Sequence, residues 1–125
     1  MANPLPENTA VWFEIPVSDF ERAKRFYGAV LGHPLKDQEG DDLPNPMANF
    51  SAASEKSVAG HVYPGKPAPR GSGITIHLAV AALEPAMARV AENGGEVVSP
   101  VITIPAGRFA YCLDPEGNSF GLFTR

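Results

Sequence analysis

The sequence lacks the features that would assign it to several specialised classes of protein. Cys112 is the only cysteine among 125 residues, so an internal disulfide is impossible and a reducing compartment is the default. There is no run of Lys or Arg and the formal net charge is −4, which disfavours nucleic acid and anionic membranes as partners. No apolar run approaches a membrane span. The opening segment MANPLPENTA has no cationic or apolar region of a secretion signal. We therefore expect a cytoplasmic protein without nucleic-acid or membrane partners.

The composition that remains is that of an ordinary folded domain. Hydrophobic residues make up 44% of the chain and charged residues 19%, proportions typical of globular rather than disordered proteins. A chain of this length buries a real core without disulfides or metals to hold it. We predict one domain over residues 1–125.

Two stretches of the chain, residues 11–32 and 74–95, follow the same plan. Each begins with a short apolar run, 11–17 or 74–80, that predicts a strand. An amphipathic helix follows; Ser18 and Glu21 form the pattern of a capping box before the first helix. The helices end at Gly32 and near Gly95, which are 63 residues apart, as Glu14 and His77 also are. Such an internal repeat predicts two copies of one supersecondary unit.

The segments after the two helices are alike as well. Further short apolar runs predict two or three strands in each half, so that each half has the order strand, helix, strands. The segment PGKPAPRGSG fits no regular element and predicts a linker. We place module one at about 9–63, the linker at about 64–73 and module two at about 74–125.

The chain resembles the vicinal oxygen chelate superfamily in three features. These are the two βαβββ modules, the segment FYGAVLG at the end of the first helix, and the segment DPEGNSFGLF near the end of the chain. This superfamily includes glyoxalase I, bleomycin-resistance proteins and extradiol dioxygenases. The resemblance implies an α+β fold, known as the glyoxalase/bleomycin-resistance fold, in which tandem βαβββ modules curl their sheets around one cavity with the helices outside. It also implies a homodimer. The scaffold hosts unlike activities, so the fold alone does not assign the chemistry.

The resemblance also implies where a divalent metal would be held. The positions that supply metal ligands in the family correspond to Trp12, Gly60, Thr75 and Gly121, and none of these is a His, Asp or Glu. A catalytic metal site needs about three oxygen or nitrogen ligands, so no metal or other cofactor is expected. A shift of one residue in the hairpin around SEKS would put His61 in the place of Gly60, but the other three positions would still lack a ligand. A divalent metal remains the alternative.

Glu14 and His77 occupy equivalent places in the two predicted first strands. Side chains alternate across a strand, so Glu14 shares a face with Trp12, and His77 shares a face with Thr75, away from the apolar faces that pack on the helices. Both are therefore expected to line the cavity. Three interpretations stay open: a polar pair satisfied by hydrogen bonds to each other or to water, recognition of a substrate or acid–base catalysis, and a displaced metal site completed by His61 or water.

Aromatic side chains complete the predicted cavity. Trp12 would form a wall for a flat or aliphatic ligand, Phe109 and Tyr111 share a face of a later strand, and Thr75 adds a hydroxyl. The first hypothesis is a protein that binds a small organic molecule in a largely apolar cavity. The alternative is a glyoxalase-like lyase, isomerase or dioxygenase that uses a displaced metal or Glu14 and His77 as acid and base. A third hypothesis is a domain whose partner is another protein.

Overall fold

The computed structural model describes residues 4–125, which form two helices and nine strands. The predicted domain bounds start at residue 1, and residues 1–3 lie outside the described part. The elements of the first half are β1 (Trp12–Val17), α1 (Phe20–Leu31), β2 (Lys36–Asp37), β3 (Ala48–Asn49) and β4 (Ala59–Pro64). Those of the second half are β5 (Ile76–Ala79), α2 (Leu83–Glu92), β6 (Glu96–Val97), β7 (Ile102–Ile104), β8 (Gly107–Leu113) and β9 (Ser119–Thr124).

The two halves have the same strand order, which confirms the internal repeat. The first sheet runs β1-β4-β3-β2 and the second β5-β9-β8-β6, with β7 paired to β8. In both, the first strand lies parallel to the last, and the other pairs are antiparallel. The fold is therefore α+β, as predicted, with two βαβββ modules in tandem.

Several strands are shorter than the apolar runs predict. The run 47–53 contributes only Ala48–Asn49 to the first sheet, and the run 97–104 is divided between β6 and β7. The strand predicted from Ile74 starts at Ile76, and the Ile74 side chain is 85% exposed. The apolar pattern thus located most of the strands but not β2, whose two residues are polar, and pairing with neighbours sets the strand ends.

Helix α1 begins one residue later than the capping box predicts. Asp19 is the N-cap, and its side chain accepts a hydrogen bond from the Arg22 backbone N–H. The Ser18 hydroxyl instead donates to Glu116. At the other end Gly32 adopts φ +80° and its N–H bonds the carbonyl of Gly28, which confirms Gly32 as the left-handed C-cap.

One hydrophobic core joins both modules. It contains residues of both helices and of both sheets, including Ile15, Phe26, Leu78, Val90 and Phe120. Phe26 of α1 is buried, and its ring packs edge-on against Phe120 of β9. Each sheet therefore has one face on this core and an opposite face, here called the open face. Cys112 lies in the core, and burial raises the pKa of its thiol to about 11.

The DPEGN turn between β8 and β9 ties the modules together. Asp114 is buried and accepts hydrogen bonds from the Tyr27 hydroxyl (2.6 Å) and from the backbone N–H groups of Glu116 and Asn118. The Asn118 side-chain amide donates to the Pro16 carbonyl at 2.9 Å. The Asp114 carboxylate and burial together raise the pKa of Tyr27, burial having the larger effect. The turn thus fixes β9 against α1 and β1, which sets the spacing of the two open faces.

Among the described residues, no helix is long and apolar enough to cross a membrane.

Candidate ligand-binding site

The open face of the first sheet carries two polar contacts that link three side chains. The Trp12 indole N–H donates to Nδ1 of His61 at 2.9 Å, and Nε2 of His61 lies 3.2 Å from Oε1 of Glu14. Trp12 and Glu14 share a face because they are two residues apart on β1. His61 joins them because the parallel register aligns Glu14 with His61 on β4. The sequence predicted Trp12 and Glu14 here but placed Gly60, not His61, at the facing position.

The placement of Gly60 is corrected by the register. Gly60 pairs with Phe13, and a Cβ on Gly60 would overlap the Phe13 ring, which packs against the core. Gly60 therefore belongs to the core face. The sequence of segment 59–63 is compatible with either Gly60 or His61 on the open face. Only the pairing of β4 with β1 identifies His61 as the residue on that face.

The hydrogen bond from Trp12 determines the tautomer of His61. Nδ1 must offer its lone pair to accept from the indole N–H, so the imidazole carries its single proton on Nε2. Nε2 is buried, and Glu14 Oε1 is close enough for an ion pair but not aligned for a hydrogen bond, which leaves Nε2 without a hydrogen-bond partner. The imidazole is 4% exposed, whereas the Glu14 side chain is 64% exposed. A molecule on this face would therefore contact Glu14 and Trp12, with His61 behind them.

His77 occupies the equivalent place on the open face of the second sheet. It pairs with Gly121 on β9, and a Cβ at Gly121 would overlap the imidazole ring. The ring lies 5.1 Å from Phe109, 5.7 Å from Tyr111 and 6.2 Å from Phe123, measured between centroids. Burial lowers the pKa of His77. The absence of a side chain at Gly121 thus leaves room for the imidazole over this residue, among aromatic rings.

The predicted pairing of Glu14 with His77 does not occur. In residues 4–125 no hydrogen bond or ion pair joins these two side chains, and Glu14 instead lies against Nε2 of His61. Glu14 and His77 occupy equivalent positions in the repeat, but their side chains contact different neighbours. The form of the polar pair in which the two side chains bond each other is therefore wrong, and a bond of either one to water stays a prediction.

A groove of about 550 Å³ brings together three of the predicted site residues. Trp12, Thr75 and His77 line it, and most of the other lining side chains, such as Phe50 and Ile76, are apolar. We call it the Trp12–His77 groove. The Thr75 hydroxyl is hydrogen-bonded to Ser119 at 2.7 Å. Phe109 and Tyr111 lie outside this groove and support His77 from the side. Phe50 was not predicted, since nothing in its segment indicates which way it faces.

A second groove of about 550 Å³ adjoins the first. It lies between β1 and the segment that leads into β5, and Trp12, Phe13 and Ile76 line both grooves. Glu14 lines only this second groove, which we call the Glu14 groove. Trp12 therefore lies between the mostly apolar Trp12–His77 groove and the Glu14 groove, which contains a carboxylate.

The donors at the implied metal positions do not fit a divalent metal. The Trp12 indole offers no lone pair to a metal, and the Thr75 hydroxyl is engaged with Ser119. The imidazole next to Trp12, that of His61, has Nδ1 occupied by the indole N–H and its protonated Nε2 buried. Within the described range, no group of three His, Cys, Asp or Glu residues could hold a metal ion. A site of about three protein ligands cannot be assembled from these side chains as they lie.

Comparisons with known proteins agree on one family. The model of the family described as Glyoxalase/Bleomycin resistance protein/Dioxygenase superfamily matches residues 9–122. A glyoxylase-like domain-containing protein of Didymella fabae is 30% identical over 116 residues, covering 90% of each chain. The CFP32 protein of Mycobacterium tuberculosis (strain CDC 1551 / Oshkosh), which carries a glyoxylase name, is 27% identical over 94% of this chain and 46% of its own length. The chain thus spans about half the length of that relative.

The fold has a close counterpart among solved structures. A glyoxalase/bleomycin resistance protein from Albidiferax ferrireducens T118 superimposes with a TM-score of 0.71, at 22% identity, over 94% of this chain and 99% of that one.

Proposed function

Because the chain belongs to the Glyoxalase/Bleomycin resistance protein/Dioxygenase superfamily, we propose that it binds a small organic molecule in the Trp12–His77 groove, without a divalent metal. The observation that carries this proposal is the groove itself, about 550 Å³ of mostly apolar lining with an indole, a threonine and an imidazole. Ligand sites of proteins are typically concave, largely apolar and of 300–1,000 Å³, with few polar groups.

The chemistry of the lining favours a flat or aliphatic group as the part of the ligand that enters. Trp12 is 47% exposed while its N–H is held by His61, so its ring offers a surface of fixed orientation. His77, with its pKa lowered, is the neutral imidazole at pH 7 and adds a further ring. Binding by such surfaces needs no metal, and the engagement of the nearby donors supports a metal-free site.

A second candidate function is a metal-free lyase or isomerase in which Glu14 acts as the base. The observation that favours it is an exposed carboxylate whose Oε1 lies 3.2 Å from Nε2 of a buried imidazole, a neighbour that could orient a general base. In this version His61, rather than His77, is the residue that positions Glu14. Turnover of a carbonyl–thiol adduct that is abolished by Glu14→Gln, with unchanged folding, would make the enzyme the better description.

We further propose a cytoplasmic homodimer. The lone cysteine and the absence of any disulfide support a reducing compartment. Val11 (73% exposed) and Ile74 (85% exposed) flank the two grooves and are large apolar side chains that a second copy would cover. Light scattering of the purified protein at several concentrations tests the dimer, and a strictly monomeric mass would contradict it.

The first test of the proposal measures the metal content of the purified protein. We expect the purified protein to contain far less than one equivalent of Mn, Fe, Ni or Zn by plasma mass spectrometry, and its melting temperature to be indifferent to chelator or to these ions. Stoichiometric metal, or a melting temperature that rises with one ion, would overturn the metal-free part of the proposal.

The same preparation then tests the groove. Phenol and benzyl alcohol are titrated while ligand-observed NMR reports binding, and Trp12→Ala is expected to weaken both by about tenfold (about 1.4 kcal/mol) through loss of the stacking wall. Trp12→Phe is the matched control, which keeps an aromatic surface and should retain most of the affinity. Equal binding by the Trp12→Ala variant would contradict the placement of the ligand in the Trp12–His77 groove.

A further inference from the structure

We propose that the ligand of this site carries a protonated nitrogen, which is recognised by the Glu14 carboxylate and the Trp12 indole. This inference rests on the proposed function and adds the charge of the ligand. An apolar or aromatic body would lie in the Trp12–His77 groove, and the cation would lie in the adjoining Glu14 groove. The recognised class is organic ammonium compounds, including primary amines and quaternary ammonium ions.

The first observation is the isolation of the Glu14 charge. Among the described residues that line the Glu14 groove, Glu14 alone is charged; the others are apolar or neutral, such as Ile74 and Asn118. No Lys or Arg forms an ion pair with Glu14 in residues 4–125, whereas other carboxylates, such as Glu84, Glu96 and Glu116, pair with arginines. A carboxylate without a cationic partner in an apolar groove is a point of attraction for a cation, more so because the net charge is −4.

The second observation is the buried imidazole behind this carboxylate. His61 is nine-tenths buried or more, and its Nε2–H lies 3.2 Å from Oε1 of Glu14 with no hydrogen-bond partner of its own. Since Nδ1 accepts from Trp12, His61 is the neutral tautomer and does not cancel the charge of Glu14. The imidazole therefore lies against one carboxylate oxygen and leaves the other free for a ligand. His61 is a positioning residue here.

The third observation is the position of the indole beside the carboxylate. Trp12 lines both grooves, and its ring is held by the hydrogen bond to the same imidazole that faces Glu14. The face of a Trp ring attracts cations within about 6 Å of its centroid, more strongly than Tyr or Phe. The indole face and the carboxylate, which both lie against the same imidazole, thus each attract a cation. Neither group attracts an anion.

The experiment compares four probes of similar size that differ in charge: benzylamine, benzyltrimethylammonium, benzyl alcohol and benzoate. Trp12 is the only tryptophan of the chain, so its fluorescence reports binding at the site directly, and ligand-observed NMR provides an independent affinity. We expect both cations to bind at least about tenfold more tightly than benzyl alcohol, and benzoate to bind most weakly. The advantage of the cations should shrink at high salt.

Variants assign the charge preference to Glu14. Glu14→Gln is expected to remove the tenfold advantage of the cations over benzyl alcohol. Glu92→Gln, which makes the same change of net charge at the exposed end of α2, should leave the advantage intact. His61→Gln should partly reduce the advantage of the cations, because Glu14 loses the imidazole that lies against it. The Glu14 and His61 variants must first show the circular dichroism spectrum and melting temperature of the wild type.

The outcomes separate this inference from the function on which it rests. Equal affinity for benzylamine and benzyl alcohol, or a cation preference that persists in Glu14→Gln, would overturn the inference and leave groove binding intact. If none of the four probes binds to the wild-type protein, the proposed function fails as well.

Discussion

We expect the ionised carboxylate of Glu116 to contribute to the free energy of unfolding, and this contribution to change with pH. Its oxygens accept from the Ser18 hydroxyl (2.6 Å), the Asp19 backbone N–H (2.9 Å) and the Arg22 guanidinium (3.0 Å), and its side chain is 6% exposed. Burial acts to raise the pKa of Glu116, but these hydrogen bonds outweigh it and lower the pKa from 4.5 to about 2. The turn between β8 and β9 is thereby tied to the N-terminus of α1.

The magnitude follows from the difference in pKa. A change from 4.5 to about 2 is about 2.5 units, and at 1.36 kcal/mol per unit this corresponds to about 3 kcal/mol. Because the folded-state pKa is the lower one, this stabilisation is complete above pH 4.5 and is lost as the pH falls towards 2. Glu116→Gln keeps one acceptor oxygen, so we expect it to lower the free energy of unfolding by about 2 kcal/mol at pH 7.

The assay is urea denaturation of wild type and Glu116→Gln at pH 7 and at pH 3. The difference in the free energy of unfolding should fall to less than half of its pH 7 value at pH 3, where the wild-type carboxylate has lost most of its advantage. Glu96→Gln, which breaks the exposed pair with Arg70, is the control and should change stability by less than about 0.5 kcal/mol. A difference for Glu116→Gln that is the same at both pH values would refute the reasoning, because packing and not charge would then explain it.

Two further substitutions test other contacts. Tyr27→Phe removes the 2.6 Å hydrogen bond to the buried Asp114 carboxylate and should lower the free energy of unfolding by about 1–3 kcal/mol in urea; a loss below about 0.5 kcal/mol would mean that the other donors to Asp114 suffice. Gly121→Ala places a Cβ where the His77 imidazole lies, so the ring should swing away. Large changes in the NMR signals of the His77 ring and weaker benzyl alcohol binding are expected, with little loss of stability, and unchanged ring signals would contradict the geometry.

Much of the fold could be predicted from local patterns. The repeat at a spacing of 63 residues, the strand–helix order and the helix end at Gly32 depend on apolar periodicity and backbone preference, which are properties of short segments. The strand ends were less well predicted, because β2, β3, β6 and β7 are two or three residues long and exist only through their partners. Ser18 shows a similar limit, since Glu116, which is distant in sequence, draws its hydroxyl away from the cap.

For the candidate site, the sequence by itself determined which side chains share a face. Alternation along a strand puts Trp12 with Glu14 and Thr75 with His77 whatever lies next to the strand. Only the tertiary structure decided what Glu14 contacts, because β1 and β4 are separated by a helix and irregular loops whose length sets the register. A shift of one residue turns every side chain of a strand to the other face, so the choice between Gly60 and His61 depended on that register. His61, and with it the fixed indole and carboxylate, is therefore a consequence of the pairing of two distant strands.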